Sequence, residues 1–308
     1  MPKTNTIYDQ ITARKQASVA AAKSQRSISV LKDMIKDAPD RRNFLSSISS
    51  QFGLIAEIKE KSPSKGRMRS HNVEEAPQAY DRSSIVQAIS VLTNSDDFGM
   101  SIERLLTVKK QTSKPVLCKD FIFDEYQLYE ARAFGADAVL LMTQKLSKVE
   151  LQKLFDIACD LDLEVLVECG CKPDIDQIPN GAKICGINSR DMLSQGKRYR
   201  LSRFLPKAGS LRHKDFTTDL KVFKGIEKLP PGLAKVAESG INAGTICTVR
   251  DMGYNAALIG ASLLLHPKGP SAALHECEHV LTSTTHAMGK LDVFSRHDSS
   301  QAANPVIT

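Results

Sequence analysis

The chain has 308 residues, of which 42% are hydrophobic and 25% charged, with a net charge of +7. That is enough sequence for one large globular domain with a substantial core, and no apolar run is long enough to span a bilayer. Lys and Arg are scattered, with no tract of five or six, no zinc-finger spacing and no basic-aromatic interleaving. Nucleic acid and membrane are therefore not expected partners, whereas a small multiply charged anion suits the basic field.

The N-terminal stretch MPKTNTIYDQITARKQ has no apolar run followed by a small-residue cleavage site, so no secretory signal is read there. From about residue 6 to 50 the pattern is polar and helical, with Ile7, Ile11, Val19, Ile28, Leu31 and Ile35 at amphipathic spacings and Pro39 as a break. The character then changes to short apolar runs, each followed by a helical stretch. The runs are LIAEIK (54–59), VQAISVL (86–92), PVLCK (115–119), AVLLM (138–142), EVLVE (164–168), KICGIN (183–188), AKVAES (234–239) and AALIG (256–260). Between them lie SIERLLTVKKQ (101–111), DEYQLYEARAFG (124–135), LSKVELQKLFDIACDL (146–161) and NAGTICTVRDMG (242–253). Gly135 and Gly253 stand where helix-ending glycines belong, and Ser147 and Asn242 suit N-caps.

Eight apolar runs alternating with helices predict an α/β fold with a parallel sheet covered by helices, and eight strands is the number that closes a (β/α)8 TIM barrel. No GxGxxG follows any run, which argues against an open dinucleotide-binding sheet. The expected organisation is an N-terminal helical extension over 1–50, a barrel over 51–282 and a mobile tail over 283–308. The stretch 198–231, with clustered charge and a Pro-Pro-Gly break, is expected to hold a helix and a surface insertion. Seven cysteines, an odd number without paired CxxC motifs, predict reduced thiols, a cytoplasmic location and no metal site.

Several runs end in a charged or amide residue: Lys59, Lys119, Glu168, Asn188 and Glu238. In a barrel the C-terminal strand ends converge on one face, so these five point at one cavity. Glu57 and Lys59 are two apart and share a face. A carboxylate within an apolar strand is costly unless paired, so Glu57 is expected to pair with Lys59 or Lys119. The last two strands end in Glu238-Ser239-Gly240 and Gly260-Ala261-Ser262, where such barrels cradle phosphate. The loop KSPSKG (61–66) after the first strand can cover a ligand.

These motifs resemble one known family. IAEIKEKSPSKG (55–66), AISVLTNSDDFGMS (88–101), CKDFIFDEYQLYEARAFGADAVLLM (118–142), LEVLVE (163–168), GINSRD (186–191), AESGI (237–241) and LIGASLL (258–264) are similar to the motifs of indole-3-glycerol phosphate synthases. The likeness runs in order over roughly 6–282. It implies tryptophan biosynthesis: ring closure of 1-(2-carboxyphenylamino)-1-deoxyribulose 5-phosphate with loss of carbon dioxide and water. No cofactor and no metal are implied, because the imine formed on ring closure is itself the electron sink.

By position in the family pattern, Lys119 resembles the general acid and Glu168 the acid/base of dehydration. Lys59 resembles a second, substrate-contacting lysine, with Glu57 and Glu238 tuning the lysines and Asn188 holding the reacting hydroxyl. Arg190 and Ser239 are candidates for the anthranilate carboxylate, and Ser62, Gly240, Gly260 and Ala261 for the phosphate. The resemblance implies a phosphorylated small-molecule substrate, a monomer or weak dimer, and room for contact with other tryptophan-pathway enzymes. The chain departs from the pattern at Cys169–Pro173, at Gly99-Met100 and in a lengthened stretch after Asp191. Two alternatives stay open: a paralogue acting on a related aminodeoxyribulose phosphate, and a barrel that binds a phosphorylated ligand without catalysis.

Overall fold

The computed structural model describes residues 7–170, 175–190 and 220–295. Among the described residues, eight parallel strands close a barrel: β1 Gly53–Ile58, β2 Val86–Leu92, β3 Val116–Lys119, β4 Ala138–Met142, β5 Glu164–Cys169, β6 Ile184–Asn188, β7 Ala234–Glu238 and β8 Ala256–Ile259. β1 pairs with both β2 and β8, which closes the ring. Each apolar run of the sequence becomes a strand, to within one residue at either end.

The two-residue period of a strand divides the core. Ile55, Ala88, Leu117, Leu140, Leu166 and Val236 belong to a cluster inside the barrel. Their neighbours Leu54, Ala56, Val116, Val139, Val167 and Ala237 face out and pack in a second cluster beneath the helices. Strands buried on both faces must be apolar at nearly every position, which explains the continuous runs. Cys118 lies in the outer cluster, so its thiol faces away from the barrel interior, as the alternation requires.

Among the described residues, three helices precede the barrel: α1 Ile7–Gln25, α2 Ile28–Lys36 and α3 Phe44–Ser49. α3 closes the barrel at the N-terminal strand ends. Phe44 and Ile48 are fully buried and join the inner cluster. Glu164, the first residue of β5, accepts hydrogen bonds from the Phe44 amide (2.5 Å) and the Leu45 amide (3.1 Å). A carboxylate at a helix N-terminus meets unpaired donors and the positive end of the dipole. Nearby, the fully buried Lys109 ammonium donates to Asp137 (2.6 Å), which also accepts from the amides of Val116 and Arg42 (both 2.6 Å).

α1 lies along the loops after β2 and β3. Its docked face runs Ile11, Lys15, Val19, Lys23 at four-residue steps, with Ile11 and Val19 buried and the two lysines paired to Asp120 and Asp124. Cations on the docked side blur the apolar periodicity of this helix.

The capping signals act mostly as read. Ser147 caps the helix Lys148–Asp160 in a reciprocal box with Glu150, and Gly135 and Gly253 take φ of +87° and +88° after their helices. Asn242 differs: the helix begins at Ile246, and Asn242 instead builds the preceding turn, accepting from the Gly244 amide (2.9 Å). The helix Gly269–Ser295 continues past 283, where the sequence suggested a tail. Once its first turns are packed, each added residue gains a backbone hydrogen bond at little further cost. The expected helix and insertion at 198–231 fall largely outside the described residues; a 3-10 helix, Leu220–Lys228, is described there. None of the described helices is long and apolar enough to cross a membrane.

Phe44→Ala removes a fully buried ring from the barrel floor. Urea unfolding of this variant is expected to show a loss of about 3–5 kcal/mol, and a loss under 1 kcal/mol would mean that α3 does not close the interior.

Candidate active site

At the opposite end, the last inward-facing positions of five of the eight strands are polar. Glu57 comes from β1 and Lys59 directly follows that strand, Lys119 comes from β3, Glu168 from β5, Asn188 from β6 and Glu238 from β7. All except Lys119 are buried, and the Lys119 side chain is 14% exposed. They sit at the floor of a cavity of about 470 Å³.

Lys119 Nζ lies 3.3 Å from Glu57 Oε2 and 3.2 Å from Glu238 Oε2. Glu57 Oε1 accepts from Lys59 Nζ. Both expected partners of Glu57 are therefore present at once, one on each oxygen. Burial alone would raise the Glu57 carboxyl, but Lys59 and Lys119 overcome it and hold it down at about 2. For Lys119, burial disfavours the ammonium, yet Glu57, Glu238 and Glu168 outweigh it and hold the pKa above the ordinary lysine value. Lys59 moves the other way: burial pushes it down, Glu57 only partly compensates, and Lys119 and Arg190 add repulsion. The two lysines thus differ in how firmly they hold a proton.

Glu168 is pushed up to about 8, first by burial and then by Glu238, with Lys119 and a hydrogen bond from Asn188 pulling the other way. It is a neutral acid near pH 7. Glu238 Oε1 is buried and receives no N–H or hydroxyl donor, and a hydrogen bond between the two carboxyls adds to the upward shift of Glu168.

Two glycines make room for the carboxylates. A Cβ on Gly186, an inward position of β6, would fall on Glu238 Oε1, and a Cβ on Gly260, just past β8, would fall on Glu57 Oε1. Any side chain at either place would push a carboxylate away from Lys119.

The walls have distinct characters. After β7, Ser239 and Gly240 adopt φ of +73° and +74° in succession, a left-handed turn on the cavity wall. Ser189 Oγ holds this turn by donating to the Ser239 carbonyl (2.9 Å), and Ser262 Oγ ties it to the segment after β8 by donating to the Ile241 carbonyl (3.1 Å). Gly260 and Ala261 start the helix that follows β8, and first-turn amides have no partner within their own helix. Across from them, Phe98 and Phe121 stack with centroids 6.4 Å apart and planes at 26°. Leu92, Leu140, Met142 and Leu258 complete an apolar wall.

Ten of the twelve residues singled out in the sequence line the cavity. Glu238 lies beneath it, fully buried, reaching it through Lys119 and Glu168. Ser62 is not on the wall. It is buried and its Oγ accepts from the Lys65 amide (3.1 Å), shaping a two-stranded hairpin whose Ser64 and Lys65 line the cavity instead. Phe98, Phe121 and Asp120 also line it and were missed. Lone aromatic residues in loops have no period to reveal them, and Asp120 reads as an ordinary residue after a strand. Among the described residues no group of His, Cys, Asp and Glu could hold a metal ion; Cys171 lies outside them.

A family model described as indole-3-glycerol phosphate synthase matches residues 8–196. An indole-3-glycerol phosphate synthase of Carboxydothermus hydrogenoformans is 39% identical over 232 residues, covering 73% of this chain and 78% of that protein. One from Bacteroides thetaiotaomicron is 32% identical over 266 residues, covering 85% and 94%. Among solved structures, 3-hexulose-6-phosphate synthase from Salmonella typhimurium superposes with a TM-score of 0.52 at 12% identity, covering 76% of this chain and 99% of that one. At that identity the likeness speaks for the barrel alone.

Because the raised pKa of Glu168 exceeds that of an unfolded carboxyl, the neutral acid favours the folded state fully below the ordinary carboxyl range, and this contribution is lost as pH rises through about 8. Carboxyl carbon NMR is expected to show Glu168 titrating well above the other glutamates, and moving down in Glu238→Gln, where the like charge is gone. An unmoved midpoint would rule out the Glu168–Glu238 coupling.

Proposed function

The chain belongs to the indole-3-glycerol phosphate synthase family, and from that premise we propose how its side chains divide the reaction. It closes the indole ring of 1-(2-carboxyphenylamino)-1-deoxyribulose 5-phosphate, releasing carbon dioxide and water. The observation that carries the assignment is the Lys119 ammonium held between Glu57 and Glu238 at the cavity floor, beside a neutral Glu168.

In the first step the nitrogen lone pair pushes through the ring. The carbon bearing the carboxylate then attacks the ribulose carbonyl, so negative charge develops on the carbonyl oxygen. Lys119 supplies the proton there. Glu57 and Glu238 keep it protonated in the resting site, and a fixed cation aimed at a developing oxyanion is the strongest single contribution such a site can make. Lys59 and Arg190 take the substrate carboxylate. Burial first, and then repulsion from Lys119 and Arg190, lowers Lys59, and an incoming anion relieves the repulsion. When carbon dioxide leaves, the electrons of its bond collapse onto the iminium and restore the aromatic ring.

Dehydration needs a proton on the departing hydroxyl and removal of one from the neighbouring carbon. Glu168 as a neutral acid gives the first, and its conjugate base then accepts the second. Asn188, which hydrogen-bonds Glu168, orients the hydroxyl. Phe98 and Phe121 receive the substrate ring. The phosphate sits at the Ser239-Gly240 turn, which moves Ser239 from the carboxylate end to the phosphate end, and at the Gly260-Ala261 helix start, with Ser64 and Lys65 of the hairpin taking the part first assigned to Ser62.

Turnover is followed by indole fluorescence on purified protein. Lys119→Ala and Glu168→Gln are each expected to lower kcat by about 10²–10⁴ with the fold intact. A near-wild-type rate in either variant removes that residue from its role. Tight binding without turnover in the wild type would favour the non-catalytic barrel.

A further inference from the structure

Asp120 follows Lys119 directly and lines the cavity. Its carboxylate is held from three sides. Lys15 Nζ and Thr93 Oγ1 (2.7 Å) donate to Oδ2, and the Phe121 amide (2.8 Å) donates to Oδ1. Lys15 Nζ also reaches the Thr93 carbonyl at 3.4 Å, and the Thr93 amide donates to the Lys119 carbonyl (3.4 Å). One ammonium from outside the barrel thus joins the ends of β2 and β3. The side chains of Lys15 and Asp120 are only 11% and 5% exposed, so water screens this pair poorly.

The neighbouring residue of α1, Arg14, pairs with Asp97. Asp97 belongs to the short helix Ser95–Phe98, which carries Phe98, while Phe121 is bonded to Asp120. Two adjacent cations on α1 therefore each hold one member of the stacked ring pair, and neither cation lines the cavity itself.

We propose that Lys15, assisted by Arg14, is a positioning residue for the aromatic end of the site, setting the Phe98–Phe121 spacing through Asp120 and Asp97. This rests on the reading above, in which those rings receive the substrate's ring. The competing account is that α1 docks merely for stability. The same helix makes a second docking pair, Lys23 to Asp124 (2.6 Å), which engages a different carboxylate. If docking alone mattered, losing that pair would have the same effect.

The test uses the full chain with Lys15→Met, Lys15→Arg and Lys23→Met. Steady-state turnover is measured, together with calorimetric dissociation constants for anthranilate, a probe of the ring end, and glycerol 3-phosphate, a probe of the phosphate end. Lys15→Met is expected to weaken anthranilate and raise KM by about tenfold, a loss confined to the ring end. Glycerol 3-phosphate binding stays within about twofold, Lys15→Arg recovers most of the loss, and Lys23→Met moves neither constant. The proposal is overturned if Lys15→Met leaves anthranilate unchanged, weakens both probes equally or is matched by Lys23→Met, or if the wild type binds no anthranilate. A wild type that binds both probes yet does not turn over the substrate would count against the proposed function instead, and the anthranilate comparison would still decide the role of Lys15.

Discussion

Lys119 lies between Glu57 and Glu238, with Glu168 close by, and this arrangement of buried charge is what the rest of the molecule has to accommodate. None of these groups is stable in such a place alone. Burying an unpaired carboxylate or ammonium costs several kcal/mol or more, so each must be offset by its neighbours. Glu57 meets two lysines, one on each oxygen. Glu168, facing another carboxylate, instead keeps its proton. A cation that stays charged and an acid that stays neutral then stand side by side, which is the pairing that carbonyl attack followed by dehydration calls for.

The barrel makes this arrangement possible by geometry. Inward positions recur every second residue, so Ile55, Glu57 and Lys59 rise along one line from apolar floor to polar mouth, as do Leu117 and Lys119, Leu166 and Glu168, and Val236 and Glu238. Phe44 and Ile48 close the lower end and keep that side dry. The inner surface is not filled uniformly. Gly186 and Gly260 leave out side chains where the Glu238 and Glu57 carboxylates lean across. Those two absences are as much part of the site as the charged groups.

The helices ahead of the barrel work at both of its ends. α3 seals the floor, where Glu164 meets its first amides. α1 reaches the mouth, where its cations meet Asp97, Asp120 and Asp124 on the loops after β2 and β3. Those loops carry Phe98 and Phe121.

The barrel and the polar strand ends could be read from the amino-acid order alone. Strands buried on both faces leave continuous apolar runs, and a charged residue at the end of such a run is conspicuous, so Lys59, Lys119, Glu168, Asn188 and Glu238 stood out without coordinates. Which carboxylate pairs with which lysine emerged from the folded barrel alone. That depends on side chains meeting across strands far apart in the chain, so Glu57 could engage both lysines and Glu168 could be raised by Glu238. The tertiary structure also decided that Ser62 shapes the hairpin while Ser64 and Lys65 face the cavity, since adjacent loop residues follow no period that assigns them a side. The docking of α1 was the least legible feature. Its buried face mixes Ile11 and Val19 with Lys15 and Lys23, and a cation is recognisable as buried only once the carboxylate opposite it, about a hundred residues later in the chain, has been folded into place.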